Sequence, residues 1–307
     1  MKTNVFANKT TSVLLCLLVC LLWGSLYPMI KVGYAAFEIA SRDIPSIVVF
    51  AGLRFCISGI VLVLISSIKD KKFVKPQKSN IKYVLLGALF TIILHYSMSY
   101  IALSMGESSK SAIVKQIGYL FLSCFAFLFD KNDKWSFRKT LAGIIGFSGI
   151  IATNSDGTGF MLGLVDIILI SASFCSSYGS VVAKKSTKVI SSAHFVAYSQ
   201  LIGGFFLCCV GLLLGGRITS VSLGALLVFA YICAASICSY LLWNILLKYN
   251  SLSKMAVIKF AEPLFAVILS GIILHENVLK VSYLIALILI FTAILIENIK
   301  SKNKVLK

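Results

Sequence analysis

Two lysines stand inside otherwise apolar stretches of this chain: Lys115 in SKSAIVKQIGYLF, residues 109–121, and Lys259 in SKMAVIKFAEPLF, residues 253–265. An ammonium among leucines and isoleucines costs roughly 2.5–3.5 kcal/mol at the centre of a membrane helix, so such a group faces a cavity or a partner. Glu262 follows Lys259 at i+3, a spacing that lets the two meet on one helix face. A structural ion pair and a ligand-contacting role both stay open for that pair. The bland reading for each lysine is snorkelling, with the stem in lipid and the ammonium at the headgroups. Against it, Ser108 and Ser111 share the face of Lys115 at i−7 and i−4, with Gly118 at i+3, which gives that stretch a polar side. Arg54 is a third cation within an apolar run, with Gln200 at the matching place in a later run. Its simplest role is tying helices together. Setting Glu262 against these three cations leaves an excess of two positive charges, which a carboxylate-bearing or zwitterionic ligand would relieve and a permanent cation would not.

Aromatic and hydroxyl groups surround these positions in the sequence. Trp23 and Tyr27 share a helix face, as do Tyr96 and Tyr100, and Tyr240 and Asn244. Each alone is more often core, yet a tyrosine in an apolar run packs well and keeps a hydroxyl for bonding. Gly24 and Pro28 are placed to break the first helix locally, and Pro263 lies beside Glu262. A histidine is the side chain type that changes charge near neutrality, so His95 keeps proton coupling open as an expectation, although a packing histidine is the plainer reading. Catalytic chemistry finds little support. There is no H-E-x-x-H or G-x-S-x-G, and the acidic residues within apolar runs, Asp166 and Glu262, have no His or Cys at ligand spacing. The expectation is no catalytic residue, no metal and no cofactor. The nine cysteines sit in apolar runs without zinc spacing and read as small fillers.

The elements carrying these groups follow from hydropathy. Of 307 residues 59% are hydrophobic and 13% charged, and the mean hydropathy is +0.95. A soluble globule averages about 45–50% apolar and ~25% charged. Runs of ~20 apolar residues fall at 11–32, 46–67, 82–104, 109–129, 138–154, 160–182, 192–214, 222–247, 253–274 and 278–298. They predict an all-α polytopic membrane protein with ten transmembrane helices. The first run continues through Trp23 and Pro28 without a small-residue cleavage site, so it reads as a span and not a leader.

A net charge of +18 would point to nucleic acid in a soluble protein, but the charges are sorted by loop. Of the 29 Lys and Arg, 21 lie at the two ends and in alternate loops, including Lys69, Lys75, Lys134 and Lys185. The opposite side holds only Lys31, Arg42, Lys110, Arg217 and Lys280. The positive-inside rule then puts both termini in the cytoplasm and makes the charge a topology signal, with the bilayer and not nucleic acid as partner.

ESSKSAIVKQIGYLF (107–121) aligns with SLSKMAVIKFAEPLF (251–265) at an offset of 144, matching Lys115 to Lys259. The same offset pairs Tyr96 with Tyr240. Chance matching of Leu and Ile is cheap; matching of buried lysines is not. Two five-helix repeats, 11–154 and 160–298, are expected to meet at the NSDGTG stretch. An odd number of spans per copy inverts one against the other, a construction common among secondary transporters, with the substrate site near the midplane.

WGSLYP at 23–28, Arg54–Phe55, the tyrosines around 96–100, AEPLF at 261–265 and the triplet His275, Glu276, Asn277 together resemble the drug/metabolite transporter superfamily, EamA type. Tyr119 and Asn132 stand where the first copy would carry the proline and acidic residue found in the second. The resemblance implies ten helices around a central cavity. It also implies carriage of a small amphipathic metabolite, amino-acid-like or otherwise carboxylate-bearing, across the cytoplasmic membrane by alternating access, with export favoured over uptake. An uptake carrier or exchanger for an organic cation or nucleoside-type compound is the runner-up. A channel or membrane-embedded enzyme fits the repeat and the residue types less well. The expected binding set is Lys115, Lys259, Glu262, Trp23, Tyr27, Tyr96, Tyr240, Asn244, His95 and Gln116, with Arg54, Gln200, Pro28 and Pro263 structural or gating. A monomer or weak dimer, with or without a coupled proton, is expected.

Overall fold

The computed structural model describes residues 8–71, 75–118, 137–153, 162–186, 188–249 and 261–298, with positions 6, 73, 258 and 259. Among them the regular elements are helical and no strand occurs. They are α1 (Lys9–Ala36), α2 (Ile44–Asp70), α3 (Ile81–Met105), α4 (Ser108–Val114), α5 (Phe137–Thr153), α6 (Leu164–Ser186), α7 (Ser192–Leu213), α8 (Leu223–Tyr249), α9 (Ala261–Leu274) and α10 (Val281–Asn298). Six of them, α1, α2, α3, α6, α7 and α8, are long and apolar enough to cross a bilayer; α5, α9 and α10 are shorter apolar helices. The second half of the run expected at 109–129 and the NSDGTG junction lie outside the described residues, as does the start of the run at 253.

Local chemistry sets the helix ends. Asn8 accepts from the Thr10 and Thr11 N–H groups to start α1. Asp43 accepts from Ser46 N to start α2, and Ser191 from His194 N to start α7. These side chains satisfy donors that have no partner within the helix. The distribution of residue types is inverted relative to a soluble domain. Leu14, Leu64, Phe205, Leu227 and Ile272 are exposed, whereas Arg54, His95, Gln116, Asp166 and Gln200 are buried. Lipid as the outer solvent accounts for both halves of that pattern.

Helices α2 and α7 form the tightest pair, and glycines allow it. Gly52 on α2 and Gly204 on α7 face each other, while Gly59 meets Leu201 and Gly211 meets Pro45 and Val49. A Cβ on Gly204 would lie 2.3 Å from Cys56 N, and one on Gly59 would lie 2.5 Å from Leu201 N. Backbone atoms cannot swing aside, and small residues are what let membrane helices approach this closely. Gly204→Val should therefore separate the pair and lose most of the monodisperse protein in detergent, with overpacking costing about 1–3 kcal/mol or more. Gly224→Ala, whose Cβ would meet only Ser222 Oγ at 3.8 Å, should leave the elution profile unchanged.

Two helices depart from the sequence expectation. Helix α1 runs unbroken through Gly24 and Pro28. The role of Gly24 is contact and not hinging: a Cβ there would sit 2.8 Å from Glu262 O and 2.9 Å from Phe265 Cβ, so its absence lets α9 lie against α1. Pro28 is buried within the helix, where lost backbone bonding in a membrane helix is tolerated if neighbours compensate. Helix α3 carries a π-helical segment, Ala88–Leu94, ending at His95. Such segments recur at functional sites, and no sequence signal anticipated this one.

Candidate functional site

Helices α1, α3, α8 and α9, with the residues around Lys115, meet in a cluster of aromatic rings and charged groups, the aromatic chamber. Its floor is a hydroxyl pair: Tyr96 of α3 and Tyr240 of α8 meet oxygen to oxygen at 2.8 Å. Trp23 of α1 packs edge-on to Tyr240 with centroids 5.7 Å apart and against Trp243 at 5.5 Å. Lys259 Nζ lies 4.4 Å from the Trp23 ring centroid and 5.0 Å from that of Trp243. Lys115 Nζ lies 5.6 Å from the Tyr27 ring and 5.4 Å from that of Tyr96. Glu262 is within electrostatic reach of both ammonium groups. Each cation thus has two ring faces, and a desolvated cation–π contact is worth about 0.5–2 kcal/mol. Two such contacts offset most of the ~2.5–3.5 kcal/mol insertion cost of a lysine.

The backbone at Lys115 is irregular. Helix α4 stops at Val114, and the next turn tightens, with Gln116 N bonding Ile113 O and Gly118 N bonding Lys115 O. Carbonyls of this turn are also held by α6: Ser173 Oγ donates to Lys115 O at 3.4 Å and Ser177 Oγ to Gly118 O at 2.6 Å. Broken helix at membrane depth is tolerated where it is buried in protein or lines a cavity. This break corrects the expected polar stripe below Lys115. Ser111 donates to Glu107 O and Ser108 to Tyr27 O, and both serines are buried at the far end of α4.

The remaining expected residues divide. Arg54 is fully buried, donating from Nε and one terminal nitrogen to Ser236 Oγ at 3.1 and 2.6 Å and from the other to Tyr100 Oη. Its guanidinium lies over Phe55, 4.5 Å from the centroid, and so ties α2 to α3 and α8. Tyr100 serves this bolt and not the chamber. Gln200 is buried, and among the described residues its Oε1 has no hydrogen-bond partner. His95 packs on Tyr96 at 4.4 Å, behind the chamber, with Nδ1 toward Thr91 O. Gln116 turns back to Ala112 O. Pro263 is buried in the first turn of α9. Asn244 lies in α8, its side chain outside the described residues. Trp243 and Ser236 were missed, although they stand at i+3 and i−4 from Tyr240 and could have been found by extending that helix face.

A second feature was missed altogether. Around the start of α4, a cavity of about 570 Å³ is bordered by Lys31, Glu107, Lys110, Asp166, Glu276 and Lys280. Lys31 reaches Glu276 at 3.4 Å, Lys110 reaches Asp166 at 3.1 Å and Lys280 reaches Glu107 at 2.9 Å. Tyr283 Oη also donates to Glu107. Glu276 accepts from Ser108 N at 2.7 Å, Ser109 N at 2.9 Å and Ser109 Oγ at 2.6 Å. Burial works to raise the Glu276 carboxyl, but the Ser109 and Ser108 bonds and the Lys31 ammonium outweigh it and hold the group below the ordinary carboxylate range.

Known proteins bear on this arrangement. The EamA-like transporter family matches at residues 10–155 and again at 163–298. The chain belongs to the EamA-like transporter family. Among curated relatives, the uncharacterized transporter YvbV of Bacillus subtilis (strain 168) is 27% identical over 96% of this chain and 93% of its own length. The uncharacterized inner membrane transporter YedA of Escherichia coli (strain K12) is 25% identical over 90% and 87%. A solved crystal structure superposes with a TM-score of 0.64 at 16% identity, covering 94% of this chain and 96% of that one, which shows the fold alone. The chain is an EamA transporter of the drug/metabolite type and an integral membrane protein. Among the described residues no cluster of three metal-ligating side chains occurs.

Proposed function

We propose that this EamA protein is a secondary carrier for a small amphipathic solute bearing a carboxylate, amino-acid-like in size, moved across the cytoplasmic membrane by alternating access with export favoured. The observation that carries the reading is the chamber itself: two ammonium groups and one carboxylate held among Trp23, Tyr27, Tyr96, Tyr240 and Trp243. A solute carboxylate would take the place beside Lys115 and Lys259, an ammonium would face Glu262, and the rings would cover an apolar body.

The two-repeat reading, 11–154 and 160–298 with ten spans and both termini inside, draws support from the double family match. It draws more from Tyr96 and Tyr240. These residues are equivalent at the offset of 144, and they touch hydroxyl to hydroxyl. Equivalent residues of two inverted copies touch near the axis that relates the copies, so the contact supports reading the pair as central to the transport path. The gathering of Lys31, Lys110 and Lys280 around one cavity agrees with their assignment to the external side. The name of the Escherichia coli relative supports the cytoplasmic membrane as location. Purified protein in liposomes should show saturable counter-transport, the mark of a carrier; flux that never saturates would favour a channel.

A further inference from the structure

We propose that the cluster at the start of α4 is an outer gate whose latch is Glu276, and that the latch acts on the helix carrying the cation of the transport site. The inference rests on the carrier reading above but concerns a different part of the molecule. Each of its three ion pairs joins the first half of the chain to the second: Lys31 to Glu276, Lys110 to Asp166 and Glu107 to Lys280. Ion pairs that only decorated a surface would have no reason to respect that division. Two halves that rock apart on this side must break all three, together with the apolar packing of Ile113 and Val114 against Val267 of α9 and Leu287 of α10.

Glu276 differs from the other acids of the cluster. One of its oxygens takes Ser108 N and the Lys31 ammonium, and the other takes Ser109 N and Ser109 Oγ. It is thus the cap of α4, supplied from the loop between α9 and α10, and it ties α4 to α1 at the same time. Its side chain is 8% exposed, and its bonds favour the charged form. Helix α4 is only two turns long and ends where its backbone breaks at Lys115. A ligand carboxylate drawing on Lys115 therefore pulls on one end of a short rod whose other end Glu276 holds. Occupancy of the chamber and release of the latch are mechanically joined through those seven residues. In this structure the gate is shut: Ser108 is fully buried.

The test measures exposure of Ser108 from outside. In a cysteine-light full-length protein in intact cells, Ser108→Cys is treated with a membrane-impermeant maleimide. With the latch intact, modification should be slow. Glu276→Gln should speed it about tenfold, Lys31→Gln by a smaller factor, and Glu276→Asp should restore part of the protection. Equal rates in all four backgrounds would overturn the gate. Because the cysteine-light protein could fold poorly, hydrogen exchange of the 105–114 peptide in the cysteine-intact protein gives a second readout. Glu276→Gln should deprotect it selectively, and a uniform or absent change would also overturn the proposal. Neither readout uses transport. Loss of the latch effect with carboxylate transport intact rejects the gate alone; a latch effect without any such transport rejects the cargo alone.

Discussion

Lys115→Gln should reduce saturable transport of carboxylate solutes at least tenfold while leaving the yield and melting temperature of the protein near those of the parent. The balance of terms sets this expectation. Glutamine removes an ammonium whose insertion costs about 2.5–3.5 kcal/mol. It also removes two ring contacts, to Tyr27 and Tyr96, worth about 0.5–2 kcal/mol each. The two effects nearly cancel in the empty protein. They do not cancel with ligand bound, because the charge that would meet the solute carboxylate has gone. A charge-assisted contact of ~1.5–3 kcal/mol corresponds to roughly ten- to a hundredfold in affinity. Lys259→Gln should behave similarly. Transport by both single variants at the parent rate would mean that these side chains only fill space against the rings.

Glu262→Gln should be the most destabilising single change in the chamber, lowering stability by about 3–5 kcal/mol, as expected when one member of a buried charged group is left without its counter-charge. Lys115 and Lys259 both act on this carboxylate, so its loss leaves two buried ammonium groups without their shared counter-charge. The double variant Lys259→Gln/Glu262→Gln restores a single buried cation beside its rings and should recover most of the melting temperature. The two changes should be clearly non-additive, as contacting charges are. The double variant should still fail to transport, because one carboxylate contact and the ammonium contact are both gone. Additive melting temperatures would show that Glu262 is not shared by the two lysines, and full transport by the double variant would remove both residues from the path.

The sequence revealed the chamber better than it revealed its surroundings, for physical reasons. A lysine or glutamate in an apolar run is conspicuous because it is expensive, which is why Lys115, Lys259, Glu262 and Arg54 could be singled out one by one. Aromatic partners at i+4 from one another, such as Trp23 and Tyr27, follow from helical period alone. Distance between helices does not. Nothing in the chain near Glu276 indicates that its carboxylate would cap α4, 168 positions earlier. Lys31, Lys110 and Lys280 read only as topology markers, because loop charges are common and their pairing depends on how helices meet. Gly24 read as a hinge because a glycine beside an aromatic and near a proline permits bending; its contact with α9 is a tertiary fact. The π-helical segment before His95 and the break after Val114 likewise have no local signature, since Leu, Ile and Val favour a regular helix there. They depend on close packing by α6 and α7: Cβ atoms on Gly179 and Gly203 would lie 2.3 Å from Thr91 Cγ2 and 2.7 Å from Ile92 Cβ.

The central claim is that the chamber selects a carboxylate-bearing solute by its charge, and counterflow with matched solutes tests it most directly. Liposomes containing the purified full-length protein are preloaded with a candidate neutral amino acid and offered the labelled amino acid, its amide or methyl ester, or a quaternary ammonium compound of similar size. The amide and ester keep the body and the ammonium of the solute and lose only the negative charge. A carboxylate-bearing solute should show saturable counterflow, its amide and ester at least tenfold weaker entry, and the quaternary cation no saturable entry. Equal entry of the acid and its uncharged derivatives, or preferred entry of the permanent cation, would contradict the claim.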